Sequence, residues 1–170
     1  MSTALTSTVN TPIGPFTVIT TDGDDRRAVL ASGWTGDIGD LLPVISTALR
    51  PTSTSVVPSI EGVTEAIIAY HEGDLLAIDD VAVQQKSGPF LSHAWDVLRQ
   101  VKPGQPVTYS EFAELSGRPT AIRGAASACA RNAAALFVPC HRVLGSDGKL
   151  RGFRWGLPAK QWLLDHEKVA

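Results

Sequence analysis

From Thr108 to Asn132 the chain reads TYSEFAELSGRPTAIRGAASACARN, and this stretch constrains the fold more than any other. Thr108 is followed three residues on by Glu111, the pairing with which a helix start satisfies two of its unbonded amides. The first helix runs out at Gly117, the residue type that takes the left-handed turn after a helix at least cost. Beyond Arg118 and Pro119 helical spacing resumes, with Thr120 as the expected cap of the second helix. Helix, short glycine-containing turn, helix predicts a helix-turn-helix. The second helix is built from small residues (Ala121, Gly124, Ala125, Ala126, Ser127, Ala128), with Arg123 and Arg131 towards its ends. Such a surface suits close approach to a partner or tight internal packing, and spacing alone leaves both open.

Upstream, FLSHAWDVLRQV places Phe90, Ala94, Trp95 and Leu98 on one face of a helix that KPGQP ends. Before that the character changes. PFTVITTD (Pro15 to Asp22) and RAVLASGW (Arg27 to Trp34) are β-prone, with GDDR between them as a hairpin connection. DIGDLLPVISTALR has helical spacing interrupted by Pro43, which predicts a kink or a helix start. EGVTEAIIAYHEGD sets Val63, Ala66, Ile67 and Tyr70 on one helical face and ends near Gly73; LLAIDDVAVQQ predicts another strand. His71 stands alone near a helix end and is expected to be structural. QKSGP is the expected linker. The prediction is an α+β protein: a small amino-terminal strand-and-helix domain over residues 1–84 and a helical domain with the helix-turn-helix over 85–170.

Charge follows the same division. Residues 1–88 carry four Lys and Arg against eleven Asp and Glu, a balance of −7, and residues 89–170 carry eleven against six, a balance of +5. A basic half fits a polyanionic partner, although solubility alone also favours basic faces. No apolar run approaches the roughly 20 residues of a membrane-spanning helix. The amino terminus, MSTALTSTVNTPIG, has no basic start leading into a long apolar stretch. The two cysteines, Cys129 and Cys140, lie outside any CxxC pair and cannot build a disulfide framework, which suits a reducing compartment. A cytoplasmic protein without membrane attachment is expected.

ALFVPCHRVLG, Ala135 to Gly145, is where the chemistry concentrates. A thiol with its free pKa of about 8.5 is mostly protonated at neutral pH. A neighbouring imidazole, itself oriented by a carboxylate, makes the sulfur nucleophilic. His141 follows Cys140 directly, yet adjacent side chains on a helix do not face each other. A contact therefore needs irregular backbone or one bridging water. Glu167, in WLLDHE, is the candidate acid, on a helix that could return over the cysteine loop. The competing reading is a buried structural cysteine; for Cys129 it is the one adopted.

PCHRV in this setting resembles the active-site motif of the O6-alkylguanine-DNA alkyltransferases, the suicide DNA-repair methyltransferases. NTPIGPFTV is similar to that family's amino-terminal strand motif. PFLSHAWDVLRQVKPGQPVTYSEFAELSGRP is similar to its segment from the F-x-x-x-V-W helix through the active-site tyrosine. IRGAASACARN resembles its recognition-helix arginine and loop asparagine, and RGFRWGLPAKQWLLDHE its active-site loop and last helix. The match is nearly continuous from Pro89 to Glu167 and weak before it.

The resemblance implies specific roles. Cys140 would attack the alkyl carbon in an in-line displacement, activated through a water by His141 and Glu167. Tyr109 would give a proton or hydrogen bond to the departing guanine, and Asn132 would brace the cysteine loop. Arg123 would enter the base stack, and Thr120, Gly124, Ala125 and Ser127 would complete the DNA-facing surface. The carbonyls of Cys140 and Val143 and the amide near Arg154 would read the base edge, in a pocket completed by Trp155 and Gly156. Arg142 would be structural, at the interface between the halves. The partner would be duplex DNA carrying an alkylated guanine, with the nucleotide flipped because a base in a duplex hides its O6 substituent. A monomer is expected. So is the absence of a cofactor, because thioether formation is irreversible, and of a metal, because the zinc-binding cysteines of some relatives are missing.

Arg154-Trp155-Gly156 stands where many members carry small residues, and resembles the carboxy-terminal module of the bacterial adaptive-response protein. A tryptophan there would narrow the pocket and favour methyl over benzyl adducts. Three other readings fit less well. A non-catalytic lesion-binding relative would lack the cysteine. A helix-turn-helix regulator leaves Tyr109, Asn132 and Glu167 unexplained. A thiol hydrolase predicts acyl substrates and no affinity for DNA.

Overall fold

The computed structural model describes residues 3–23 and 27–168. It contains helices and strands that divide into two compact units, one of residues 1–86 with 133–137, the other of 87–132 with 138–170.

The first unit is a five-stranded mixed sheet with one α-helix. The strands are β1 (Thr3–Thr11), β2 (Gly14–Thr21), β3 (Ala28–Gly33), β4 (Ser53–Val56) and β5 (Ala82–Val83), in the order β4-β1-β2-β3-β5. β1–β2 and β2–β3 pair antiparallel, and the outer strands β4 and β5 add parallel to β1 and β3. A two-residue turn closes the first hairpin, with Thr11 opposite Gly14, whose φ of +109° suits glycine. β2 is the central strand, and Phe16 to Thr20 are buried without alternation, as in a strand covered on both faces.

Helix α1 (Thr64–His71) buries Ala66, Ile67 and Tyr70, with Val63 buried just before it, the apolar face its spacing predicts. His71 is a core residue. Its Nδ1 donates to the Ile67 carbonyl at 2.7 Å and its Nε2 accepts from Trp34 Nε1 at 3.3 Å, an arrangement that fits the neutral imidazole. Phe16 packs edge-on against Trp34, with ring centroids 4.9 Å apart.

Some sequence expectations give way here. DIGDLLPVISTALR forms two single 3-10 turns, Ile38–Asp40 and Leu42–Val44, instead of an α-helix. Asp37 caps the Gly39 amide, and Pro43 brings no amide of its own to continue a ladder. LLAIDDVAVQQ is strand only at Ala82–Val83; before it successive i−3 bonds, among them Asp79 to Leu76 and Val81 to Ile78, coil the chain. β1 and β4 went unpredicted because serine and threonine mask the alternation by which a half-buried strand is read. Asp24–Arg26 of the expected GDDR connection lie outside the described residues.

The second unit holds α2 (Pro89–Leu98), α3 (Tyr109–Leu115), α4 (Ile122–Ala130), α5 (Leu157–Glu167) and the two-residue parallel pair β6 (Val107–Thr108) and β7 (Val143–Leu144). Ala94, Trp95 and Leu98 of α2 are buried, and Trp95 Nε1 donates to the Ala128 carbonyl of α4 at 2.9 Å. The Thr108–Glu111 capping box is complete, and Gly117 after α3 has φ +88°. Thr120 does not cap α4. That position falls to Ala121, which makes no side-chain cap bond.

Residues Ala133–Phe137 were expected in the second domain but cluster with the first unit. The Ser32 amide donates to the Ala133 carbonyl at 2.8 Å and its hydroxyl to Ala135 at 2.7 Å. The segment is buried throughout, and Leu136 is held at φ +79°, a conformation that costs a non-glycine residue about 1–2 kcal/mol. Among the described residues no helix is long and apolar enough to cross a membrane.

Candidate active site

Where residues 133–137 leave and rejoin the second unit, the Asn132 side-chain amide donates to the Val138 carbonyl at 2.7 Å. That bond closes the base of the excursion and fixes where Pro139 delivers the chain. A single 3-10 turn, Cys140–Arg142, follows. Within this turn the side chains of His141 and Arg142 converge on one carboxylate, that of Glu167.

His141 is fully buried, and its Nε2 donates to Glu167 Oε2 at 2.7 Å. Arg142, 2% exposed, grips the same carboxylate twice, Nε to Oε1 and Nη2 to Oε2, both at 2.9 Å. Its Nη1 donates to the Val101 carbonyl at 2.6 Å. The family resemblance implied a structural Arg142 at the interface between the halves; every one of these partners lies in the second unit, and its work is to clamp Glu167. Burial alone would raise the Glu167 carboxyl, but the neighbouring His141 and Arg142 outweigh it and hold the carboxyl well below the usual range. Burial lowers the His141 imidazole against the pull of Glu167, so the ring is neutral at pH 7. With Nε2 donating to the carboxylate, Nδ1 is the lone-pair atom, buried and without a hydrogen-bond partner among the described residues. It is a base with nothing yet to accept.

The sequence left open a direct Cys140–His141 contact through irregular backbone or one bridged by water; the backbone is irregular, yet the sulfur makes no direct hydrogen bond to the imidazole. Burial pushes the thiol up; the Asn132 side chain, Lys160 and Arg154 pull it back down. Tyr109 opens α3, and the register Thr108 to Leu144 seats it beside the segment that follows the turn. Burial, with added repulsion from Cys129 and Cys140, pushes its phenol up to about 12. It is a proton donor at neutral pH. Arg151 opposes that shift, and is itself held by Asp147 at 2.7 Å.

On the proposed DNA-facing surface Thr120 and Arg123 are exposed and Ser127 is half-buried. Two residues expected there face inward. Ala125 is fully buried, and a Cβ on Gly124 would lie 2.8 Å from the Phe90 ring, so this glycine serves the packing of α4 on α2. Val143 is buried, Trp155 is half-buried, and Gly156 begins α5 at φ +98°. Arg154 is exposed; its Nη2 donates to the Ala130 carbonyl at 2.8 Å and its guanidinium stands 6.0 Å from the Trp155 ring centroid.

Sequence reasoning missed Arg142 as a partner of Glu167, and missed Lys160. A signal for the second existed. Lys160, Leu163, Leu164 and Glu167 recur at helical spacing, so the helix that carries the acid inward carries the lysine inward too.

Residues 89–169 match the model of a family described as 6-O-methylguanine DNA methyltransferase, DNA binding domain. A methylated-DNA–protein-cysteine methyltransferase of Shigella flexneri is 30% identical over 161 residues, covering 94% of this chain and 92% of that one. The bifunctional transcriptional activator/DNA repair enzyme Ada of Escherichia coli is 45% identical over 78 residues, 46% of this chain and 22% of its own. The fold is similar to the Mycobacterium tuberculosis enzyme OGT, solved in complex with DNA, with a TM-score of 0.76, 27% identity and 96% and 92% of the two chains covered.

Proposed function

This chain belongs to the methylated-DNA–protein-cysteine methyltransferase family, and on that premise we propose that it repairs duplex DNA by moving an alkyl group from O6 of guanine to its own Cys140. The observation that carries this reading is the buried Arg142–Glu167–His141 chain, which ends on an imidazole nitrogen with a free lone pair one residue from the thiol. The thiol proton leaves through His141 Nδ1, by way of a water. The sulfur lone pair then forms the bond to the alkyl carbon, and the electron pair of the carbon–O6 bond passes to guanine. Tyr109, protonated at neutral pH, supplies the proton that makes guanine the better leaving group. Nothing restores the thiol from the thioether, so each molecule acts once.

α3, the turn at Gly117 and α4 are read as the helix-turn-helix that meets DNA. Arg123, exposed near the start of α4, is the wedge that fills the space of the flipped base. Arg154, Trp155 and Val143 line the pocket that receives it, with Gly156 closing the loop. This assigns DNA binding and chemistry to residues 85–170.

The test is to mix the purified protein with a duplex holding one O6-methylguanine, take an intact mass and map the peptides. One added methyl group on Cys140, absent from Cys140→Ala, is the expected result. Lesion-selective binding without transfer would make the protein a sensor instead.

A further inference from the structure

β5 covers β3 only at Ala82 and Val83, opposite Ala28 and Val29. Further along the same edge of β3, residues 133–135 take its place. Ser32 is fully buried and spends both its donors on them, the amide on the Ala133 carbonyl at 2.8 Å and the hydroxyl on the Ala135 carbonyl at 2.7 Å. Ala134 bridges Ser32 in parallel register. Just beyond β5, Gln85 Oε1 accepts from the Ala133 amide at 2.9 Å. Both main-chain polar groups of Ala133 are therefore bound within the first unit, one residue after Asn132.

Leu136 follows at φ +79°, a conformation that a non-glycine residue keeps only where its surroundings over-determine it. It stands between two fixed points, the Ser32 bond at Ala135 and the Asn132 bond at Val138. Buried carbonyls need donors in any fold, but that need alone does not call for a strained residue between the anchors. A segment pinned on both sides has no slack with which to relax Leu136. Nor has it slack to let the turn at Cys140, four residues on, slip along the chain.

We infer that Ser32 and Gln85 are positioning residues for the transfer reaction: their grip on Ala133 and Ala135 sets where the chain delivers Cys140 relative to His141 Nδ1. Both act through the main chain of residues 133–139. The inference rests on the proposed function. Misplacing a reacting group by about 1 Å can cost about a hundredfold in rate. The loss should fall on the rate and not on DNA affinity, because Arg123 and Ser127 lie on α4, before Asn132.

The test is single-turnover methyl transfer from an O6-methylguanine duplex, with the maximal rate and the half-saturating DNA concentration measured separately. Ser32→Ala and Gln85→Met should each lower the maximal rate, by about tenfold for the serine, and leave half-saturation within about twofold of the parent. Gln85→Glu keeps an acceptor for the Ala133 amide and should return the rate to near the parent's. Val29→Ala opens a cavity in the same strand away from these bonds. It should lower the melting temperature and leave the rate unchanged. An unmoved rate in folded Ser32→Ala, or a fall matched by Val29→Ala, would overturn the inference. Should Ser32→Ala not fold, half-buried Gln85 decides: a Gln85→Met rate equal to the parent's, or no rescue by Gln85→Glu, refutes it. A parent that takes no methyl group sinks the proposed function, and hydrogen exchange of the Arg142 amide, bonded to the Pro139 carbonyl, then decides for the anchors. Exchange about tenfold faster in Ser32→Ala and Gln85→Met but not in Val29→Ala would leave them standing; unchanged exchange would remove them too.

Discussion

Glu167 joins two roles in one carboxylate: it orients the His141 ring and neutralises a guanidinium buried to 2% exposure. Glu167→Gln should therefore cost more than a hydrogen bond. Leaving Arg142 buried and unmatched predicts a loss of about 3–5 kcal/mol, measured by urea denaturation. The double variant Glu167→Gln, Arg142→Met should recover part of it, and a double variant no more stable than the single one would contradict the clamp. The pocket offers a second test at this scale. Trp155 should make the parent react faster with O6-methylguanine than with O6-benzylguanine, and Trp155→Gly should narrow that gap. Equal rates in the parent would remove the argument. Cys140, His141, Tyr109, Asn132 and Glu167 could be proposed from sequence because each is a chemical residue type set in a specific motif. That Arg142 and Lys160 are buried could not be read, because an arginine or lysine in sequence is solvated until a fold removes the water.

Short elements carry the site, so their ends matter. Thr108 caps α3 and, by its bridge to Leu144, ties the Tyr109 helix to the strand after the active turn. Thr108→Ala should lower stability by about 1 kcal/mol and slow transfer, with methyl-transfer kinetics and a thermal melt as the two readings. Gly124 gives a prediction of opposite sign to its propensity. An alanine in a helix interior normally gains up to about 1 kcal/mol over glycine, yet here its methyl would meet the Phe90 ring, which is also overlain by Arg118 at 5.2 Å. Gly124→Ala should lower the melting temperature, and Phe90→Leu beside it should restore most of the loss. A stabilised Gly124→Ala would show that α2 yields easily. α3 was legible because apolar period, cap and glycine stop agree, and α2 and α4 were legible from helical spacing alone. The Ile38–Val44 turns and the Leu75–Val81 coil were not, since there apolar spacing competes with proline and acidic residues and tertiary contacts decide.

For the whole molecule, the buried neutral His141 couples stability to pH. Its folded pKa lies below the unfolded value of about 6.5, so below that pH the unfolded chain takes up a proton the native protein resists. Stability should be constant above about pH 6.5 and fall as pH drops from there towards 5. Glu167, depressed in the fold, adds no slope in this window, because both its states are ionised above about pH 5. Urea midpoints across pH 5–8 should show this decline, and His141→Gln should flatten it; an equal slope in both would clear His141 of the effect. The sequence by itself determined the α+β class, the helices of the second half, the candidate trio of Cys140, His141 and Glu167, and the basic balance of residues 89–170. Those follow from local spacing and residue chemistry. Only the tertiary structure decided that Ala133–Phe137 cluster with the first unit, that Gly124 and Ala125 face inward, and that Arg142 and Lys160 are buried charges. Each depends on contacts between segments far apart in the chain, and it is desolvation by those contacts that turns an ordinary charge into one that must find a partner.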